Sequence, residues 1–156
     1  MRIIGIDPGS VITGYGVVER QGNRLRHIDN GVIRPRTVAT YPARLAHIYD
    51  ALRACVAQFS PDALAIEEVF VAKNVRSALH LGQARGIALL VAAQSNLTIT
   101  EYSTRTVKQS VVGNGAATKE QVQYMVTKLL ALPEPPSPDA ADALAVAIAH
   151  AYHLRG

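Results

Sequence analysis

Four places in the sequence put acidic side chains where the flanking residues are apolar. Asp7 closes the run RIIGID and is followed at once by Pro8 and Gly9, which turn the chain. Glu67 and Glu68 close a second short run, DALAIEEV. Asp139 and Asp142 open a segment that is otherwise apolar from Ala140 to Ala149. Carboxyl ends of strands are where sites form in open α/β sheets. Asp142 lies one turn beyond Asp139 on the same helix face, and in a buried helix it needs a partner or a cation. Simpler roles exist for two of the acids: Asp139 falls where the helix dipole favours negative charge, and Asp7 could cap its own turn. Taken together, and with no cysteine or histidine ligand spacing, the acids fit an oxygen-ligand site for Mg2+ or Mn2+. That chemistry suits phosphodiester hydrolysis, with two divalent ions about 4 Å apart serving the attacking and leaving oxygens. Without cations the carboxylates would repel one another, so the cluster should be looser without metal.

The charge balance points to a polyanionic substrate. The 156 residues carry a formal charge of +4. Between Val69 and Leu132, Lys73, Arg76, Arg85, Arg105, Lys108, Lys119 and Lys128 stand against only Glu101 and Glu120. The stretch VFVAKNVRSA offers Phe70, Lys73, Asn74 and Arg76. An aromatic among cations can stack on an unpaired base or wedge into a step while the cations hold phosphates. A glycine loop, GNGAATKEQ, leads into Thr118-x-x-Gln121, a capping-box pattern, and a helix N-terminus carrying Lys119 is a phosphate seat that Lys108 could join. His150 and His153 read as helix C-terminal cations or surface residues. The lone Cys55 excludes an internal disulfide and reads as a small core residue. No signal-peptide pattern or membrane-length apolar run is present in the sequence, so a cytoplasmic protein is expected.

The elements that must position these residues follow from periodicity. RIIGID, TGYGVVER and LRHIDNGVIR predict three strands in a meander. YPARLAHIYDALRACVAQF has helical spacing, DALAIEEV is a short strand, RSALHLGQARGIALLVAAQS a long helix and LTITEY another strand. Two shorter helices and a last one, capped by Ser137 with Pro138 in its first turn, complete the chain. The prediction is an α/β fold, a five-stranded mixed sheet flanked by helices, in one domain spanning 1–156. Alternation sets Ala65 and Glu67 on one face of their strand and Ile66 and Glu68 on the other. With both faces covered by helices, periodicity leaves the choice between the two glutamates open. Gly82 and Gly86 permit close packing of the long helix, onto its own sheet or against a second subunit.

The blocks GIDPGSVITGYGVV, AIEEVF, AKNVRSALHLGQARG, VKQSVVGNGAATK and DAADALAVAIAH together resemble the RuvC Holliday-junction resolvases over essentially the whole length. The resemblance implies a ribonuclease-H-like fold and a homodimer that nicks two like-polarity strands of a four-way DNA junction, in recombination and repair. It implies two Mg2+ per subunit, with Mn2+ able to substitute, and products ending in 5′-phosphate and 3′-hydroxyl. The catalytic, metal-binding acids carry over onto Asp7, Glu67, Asp139 and Asp142, and it is this motif that prefers Glu67 to Glu68. Some relatives have histidine in place of Asp139, so the all-carboxylate set is one variant. The same resemblance marks Phe70 as a contact near the crossover, Lys108 and Lys119 as phosphate-supporting cations, and branch-migration proteins like RuvA and RuvB as partners. Two rivals share the opening motif. A sugar-kinase or actin-type ATPase needs two such domains, and an RNA nuclease of the YqgF type lacks the middle blocks.

Overall fold

Local signals fix where the helices start. Ser137 caps α5 (Pro138–His153) by accepting the Ala140 N–H, with Pro138 in the first turn as expected. Thr118 and Gln121 make the reciprocal capping box of α4 (Lys119–Leu129), at 3.1 and 2.8 Å. Asn74 caps α2 (Val75–Gln94) and Thr40 caps α1 (Tyr41–Phe59). Ser103 caps α3 (Thr104–Val112), which closes on Gly113 at φ 83°, a left-handed position suited to glycine.

The computed structural model describes residues 1–35, 40–69 and 74–154. Within them, strands β1 (Arg2–Asp7), β2 (Thr13–Gln21), β3 (Arg24–Ile33), β4 (Ala63–Glu67) and β5 (Thr98–Tyr102) form one sheet in the order β3-β2-β1-β4-β5. The β1–β2 and β2–β3 pairs are antiparallel, and β1–β4 and β4–β5 are parallel. This is the expected mixed sheet: a meander followed by parallel strands. No helix among the described residues is long and apolar enough to cross a membrane.

Each sheet face has its own core. Ile4, Ile6, Val17, Leu64 and Ile66 pack with Ile48 and Leu52 of α1 and with Ala88 and Val91 of α2, and half-buried Cys55 joins them. Ile3, Val18 and Ala65 pack on the opposite face with residues of α3, α4 and α5, among them Val107, Val126, Leu144 and Ile148. Asp7 shares parity with Ile3, and Glu67 with Ala65. Both carboxylates therefore fall on the α5 side.

Helix α5 lies against bare backbone. A Cβ added at Gly5 would stand 2.0 Å from the Ala143 carbonyl oxygen, and one at Gly14 would stand 2.1 Å from that of Asp139. Gly16 faces the Leu144 side chain, its added Cβ falling 2.6 Å from Leu144 Cγ. By contrast, Cβ atoms built on Gly82 and Gly86 meet nothing within 4 Å among the described residues, so these glycines do not serve contact with the described sheet.

Gly5→Ala should therefore cost about 3 kcal/mol or more, because backbone rather than a movable side chain must yield. Gly82→Ala should stay within about 1 kcal/mol of the parent chain or gain from helix propensity. Urea unfolding of both variants checks this pair, and an unaffected Gly5→Ala would contradict the direct helix–strand contact.

Candidate active site

The register of β1 and β4 brings the first two acids together. Ile6 pairs with Ile66, so the next residues, Asp7 and Glu67, end adjacent parallel strands side by side. Asp7 also pairs with Gly14 on its other flank, and over Gly14 lies the first turn of α5. That contact delivers Asp139 and, one turn on, Asp142. All four carboxylates line one cavity of about 320 Å3, together with Thr104, Lys108 and Lys119. Glu68 is exposed and outside the cavity, its backbone N–H donating to the Tyr102 carbonyl.

Burial and mutual repulsion shape the chemistry of this cluster. Burial foremost, then the charges of Asp142, Asp139 and Glu67, push the Asp7 carboxyl up to about 7, with Lys119 only partly opposing them. Glu67 is raised by burial and by Asp142, against the Thr104 hydrogen bond and the two lysines. Asp142 is raised by burial, with Lys119 pulling it down and Asp139 pushing it up. Lys119 Nζ stands 3.7 Å from Asp142 Oδ2, but its side chain is 79% exposed, so the pair is weak. No three His, Cys, Asp or Glu side chains among the described residues are close enough as placed to hold an ion. The acids share a cavity without forming a finished chelate.

The other sequence candidates divide. Lys108 and Lys119 line the cavity. Asn74 commits its side-chain oxygen to the N–H groups of Arg76 and Ser77 as a helix cap. Arg76 is exposed at the start of α2 and outside the carboxylate cavity. Phe70 and Lys73 lie outside the described residues. His150 departs from expectation: it is 5% exposed, bonded through Nδ1 to the Tyr102 hydroxyl at 2.8 Å, and burial lowers its pKa. The buried partner comes from β5, 48 residues away, and helix position alone could not reveal it. His153 is exposed as expected, its Nδ1 donating to the Ala149 carbonyl.

Sequence reasoning missed two residues. Thr104 donates its hydroxyl to Glu67 Oε2 at 3.3 Å. A hydroxyl just past the carboxyl end of LTITEY, beside the strand bearing Glu67, was the available signal. Arg85 donates from Nη1 to the Glu67 carbonyl at 2.8 Å and pairs through Nη2 with Glu101 at 2.8 Å. It therefore fixes the end of β4 from the face opposite the carboxylates.

The Asp7 shift has a signed consequence. Its folded-state pKa, about 7, exceeds the ordinary 3.8, so folding favours the protonated form. The associated stability is complete below the ordinary value and is lost as pH rises through about 7. In chelator, Asp7→Asn should raise stability, and the gain at pH 8 should exceed that at pH 5 by about 2 kcal/mol. Chemical denaturation at the two pH values measures it; equal gains would mean that Asp7 is not held in this repelling cluster.

The family described as "Crossover junction endodeoxyribonuclease RuvC" matches residues 3–150. The RuvC endonuclease of Syntrophotalea carbinolica is 55% identical over 156 residues, spanning 99% of this chain and 97% of its own. That of Pelobacter propionicus is 53% identical over 156 residues, spanning 99% and 89%. Among solved structures, T. thermophilus RuvC in complex with Holliday junction substrate superposes with a TM-score of 0.93 at 34% identity, covering 99% of this chain and 95% of that one. Full-length sequence identity and a shared fold agree: the chain belongs to the RuvC family of crossover junction endodeoxyribonucleases.

Proposed function

We propose that the carboxylate cavity is the active site of a metal-dependent, structure-selective endonuclease that resolves four-way DNA junctions by paired nicking. Asp7, Glu67, Asp139 and Asp142 are its catalytic and metal-holding acids, within one nuclease domain. The observation that carries this is the convergence of four carboxylates, three of them with raised pKa values, on one cavity flanked by Lys108 and Lys119. The T. thermophilus relative, solved with a Holliday junction, supports the substrate.

The residues present fit Mg2+ or Mn2+. The donors are all oxygen, as hard cations require, and the repulsion that raises Asp7 is what positive charge between the carboxylates would relieve. Two such ions, when bound, would supply Lewis acidity at the phosphate and a nucleophilic water at neutral pH. The chain's own side chains do the rest. Asp7 and Glu67, at the ends of paired strands, form the rigid floor. Thr104 orients Glu67 through its hydroxyl. Lys108 and Lys119 hold non-bridging phosphate oxygens, and Lys119 can exchange its weak pairing with Asp142 for the incoming phosphate.

A single site cuts one strand, and paired nicking asks for a second copy. The outer face of α2 carries Val75, Leu79 and Leu90, all exposed, in one stripe with Gly82 and Gly86, which face open space. Apolar side chains flanking small residues suit close approach of the same helix across a two-fold axis. The cellular partners proposed beyond the junction are branch-migration proteins of the RuvA and RuvB kind.

Asp7→Asn and Glu67→Gln should each slow Mg2+-dependent cutting of a labelled four-way junction by about a thousandfold or more. Junction binding should stay within roughly threefold, since contacts to the phosphate backbone dominate affinity. Product ends should be 5′-phosphate and 3′-hydroxyl. Full Mg2+-dependent nicking by either variant would refute the site.

For the second copy, Gly82→Arg or Leu79→Asp should convert a dimer to a monomer in sedimentation velocity at micromolar concentration and uncouple the two cuts. A parent chain that sediments as a monomer with full paired cutting would refute the interface.

A further inference from the structure

Backbone contact seats α5 on one half of the sheet. The close approaches at Gly5, Gly14 and Gly16 lie on β1 and β2, and they set the first turns of α5 beside Asp7. Glu67 stands on β4, and Thr104 follows β5, one and two strands further along the sheet. A polar contact ties α5 to that side as well. Tyr102, the last residue of β5, bonds through its hydroxyl to His150 Nδ1 at 2.8 Å, the two rings meeting edge to face at 5.8 Å between centroids.

Both ends of this bond lead to the carboxylates. Tyr102 is the register partner of Glu67, so the two side chains leave the sheet on the same face. Its carbonyl accepts the Glu68 N–H at 2.8 Å. Ser103 and Thr104 follow it directly, the one capping α3 and the other bonded to Glu67 Oε2. His150 lies eight residues beyond Asp142 on α5, about 12 Å along the helix. The bond therefore closes a loop of structure that runs from Glu67 to Tyr102, across to His150, and along α5 to Asp142 and Asp139. Glu67, Asp142 and Asp139 line the cavity at the open side of that loop.

The pair is poorly made for stability alone. Both residues are more than nine-tenths buried, yet His150 Nε2 has no hydrogen-bond partner among the described residues. Burial, with His153 adding to it, lowers the His150 pKa, and burial raises that of the Tyr102 hydroxyl, so both groups stay uncharged at neutral pH. A neutral imidazole offers one donor and one acceptor nitrogen. Leaving the buried Nε2 unused opposes folding. Apolar side chains of similar shape would fill the same volume without that cost. A hydrogen bond, unlike apolar packing, fixes direction as well as distance.

We propose that His150 is a positioning residue for the carboxylate site. Through Tyr102 it holds the β4–β5 edge at a fixed offset from α5, so that Glu67 and Asp142 keep a set separation across the cavity. The role rests on the active-site assignment above and concerns the affinity of that site for divalent cations.

Two variants test it, each read by calorimetric titration with Mn2+, by the Mg2+ concentration that half-saturates junction cutting, and by thermal unfolding in chelator. The double variant Tyr102→Phe with His150→Leu removes both halves of the bond and the unpartnered nitrogen. It should unfold at the temperature of the parent chain or above it. It should nonetheless bind Mn2+ about tenfold more weakly and need about tenfold more Mg2+. His150→Asn, whose amide oxygen can take the place of Nδ1 before the Tyr102 hydroxyl, should keep Mn2+ affinity within about threefold of the parent chain. A double variant with undiminished affinity, one that unfolds well below the parent chain, or a loss that His150→Asn shares in full overturns the positioning role alone. A parent chain that neither takes up Mn2+ nor cuts junctions overturns the active-site assignment and the positioning role with it.

Discussion

Direct contact between helix and strand backbones at Gly5 and Gly14 is the constraint on which the rest of this molecule depends. A helix normally stands off a sheet by the thickness of two layers of side chains. Here three glycines of β1 and β2 contribute none, and α5 descends until its carbonyls touch the strands. The descent brings Asp139 over Gly14, and Gly14 pairs with Asp7. Acids more than 130 residues apart are joined by the removal of a few Cβ atoms. The helix responds in composition: alanine predominates along α5, and from Ala143 to Ala151 every residue is buried. Asp142 is half-buried in this company, which sets the electrostatic problem the site must live with.

That problem is local frustration. Burial and the neighbouring carboxylates disfavour the ionised form of Asp7, so its charge opposes the fold at neutral pH. The surroundings provide partial relief only: a threonine hydroxyl on Glu67 and a solvated lysine 3.7 Å from Asp142. Full neutralisation, by a buried arginine for example, would stabilise the protein and occupy the place of a cation. Carboxylates left without full counter-charge suit the metal-binding role proposed for them, and the apolar cores on both sheet faces supply stability that tolerates the repulsion.

The sequence announced most of the scaffold because its local signals agree with one another. Strand alternation, the Ser137–Pro138 start of α5 and the Thr118–Gln121 box all appear where periodicity puts them. The acids were visible as charges in apolar runs. What stayed hidden were contacts between distant segments. Glycines in β1 and β2 read as interruptions of a strand, whereas their purpose is a helix far along the chain. The glycines of α2, which have the spacing of a close-packing motif, meet nothing within 4 Å among the described residues. Glu67 and Glu68 could not be separated by alternation, since helices cover both sheet faces; the family motif preferred Glu67, and the cavity contains it. Thr104 and the Tyr102–His150 pair illustrate the same limit, because each partner is recognisable only once β5 lies beside β4 and under α5.

Arg85 explains how the two sheet faces act as one frame. The carboxylates project toward α5, yet the end of their strand is gripped from the α2 side, where one guanidinium donates to the Glu67 carbonyl and pairs with Glu101 of the neighbouring strand. The side chain is only 12% exposed, so its charge is satisfied by these two acceptors more than by water. Any force on α2 is therefore felt at the backbone of Glu67. The exposed stripe of Val75, Leu79, Gly82, Gly86 and Leu90 lies on that same helix. Helix α2 thus holds the backbone of Glu67 without lending a side chain to the carboxylate cavity.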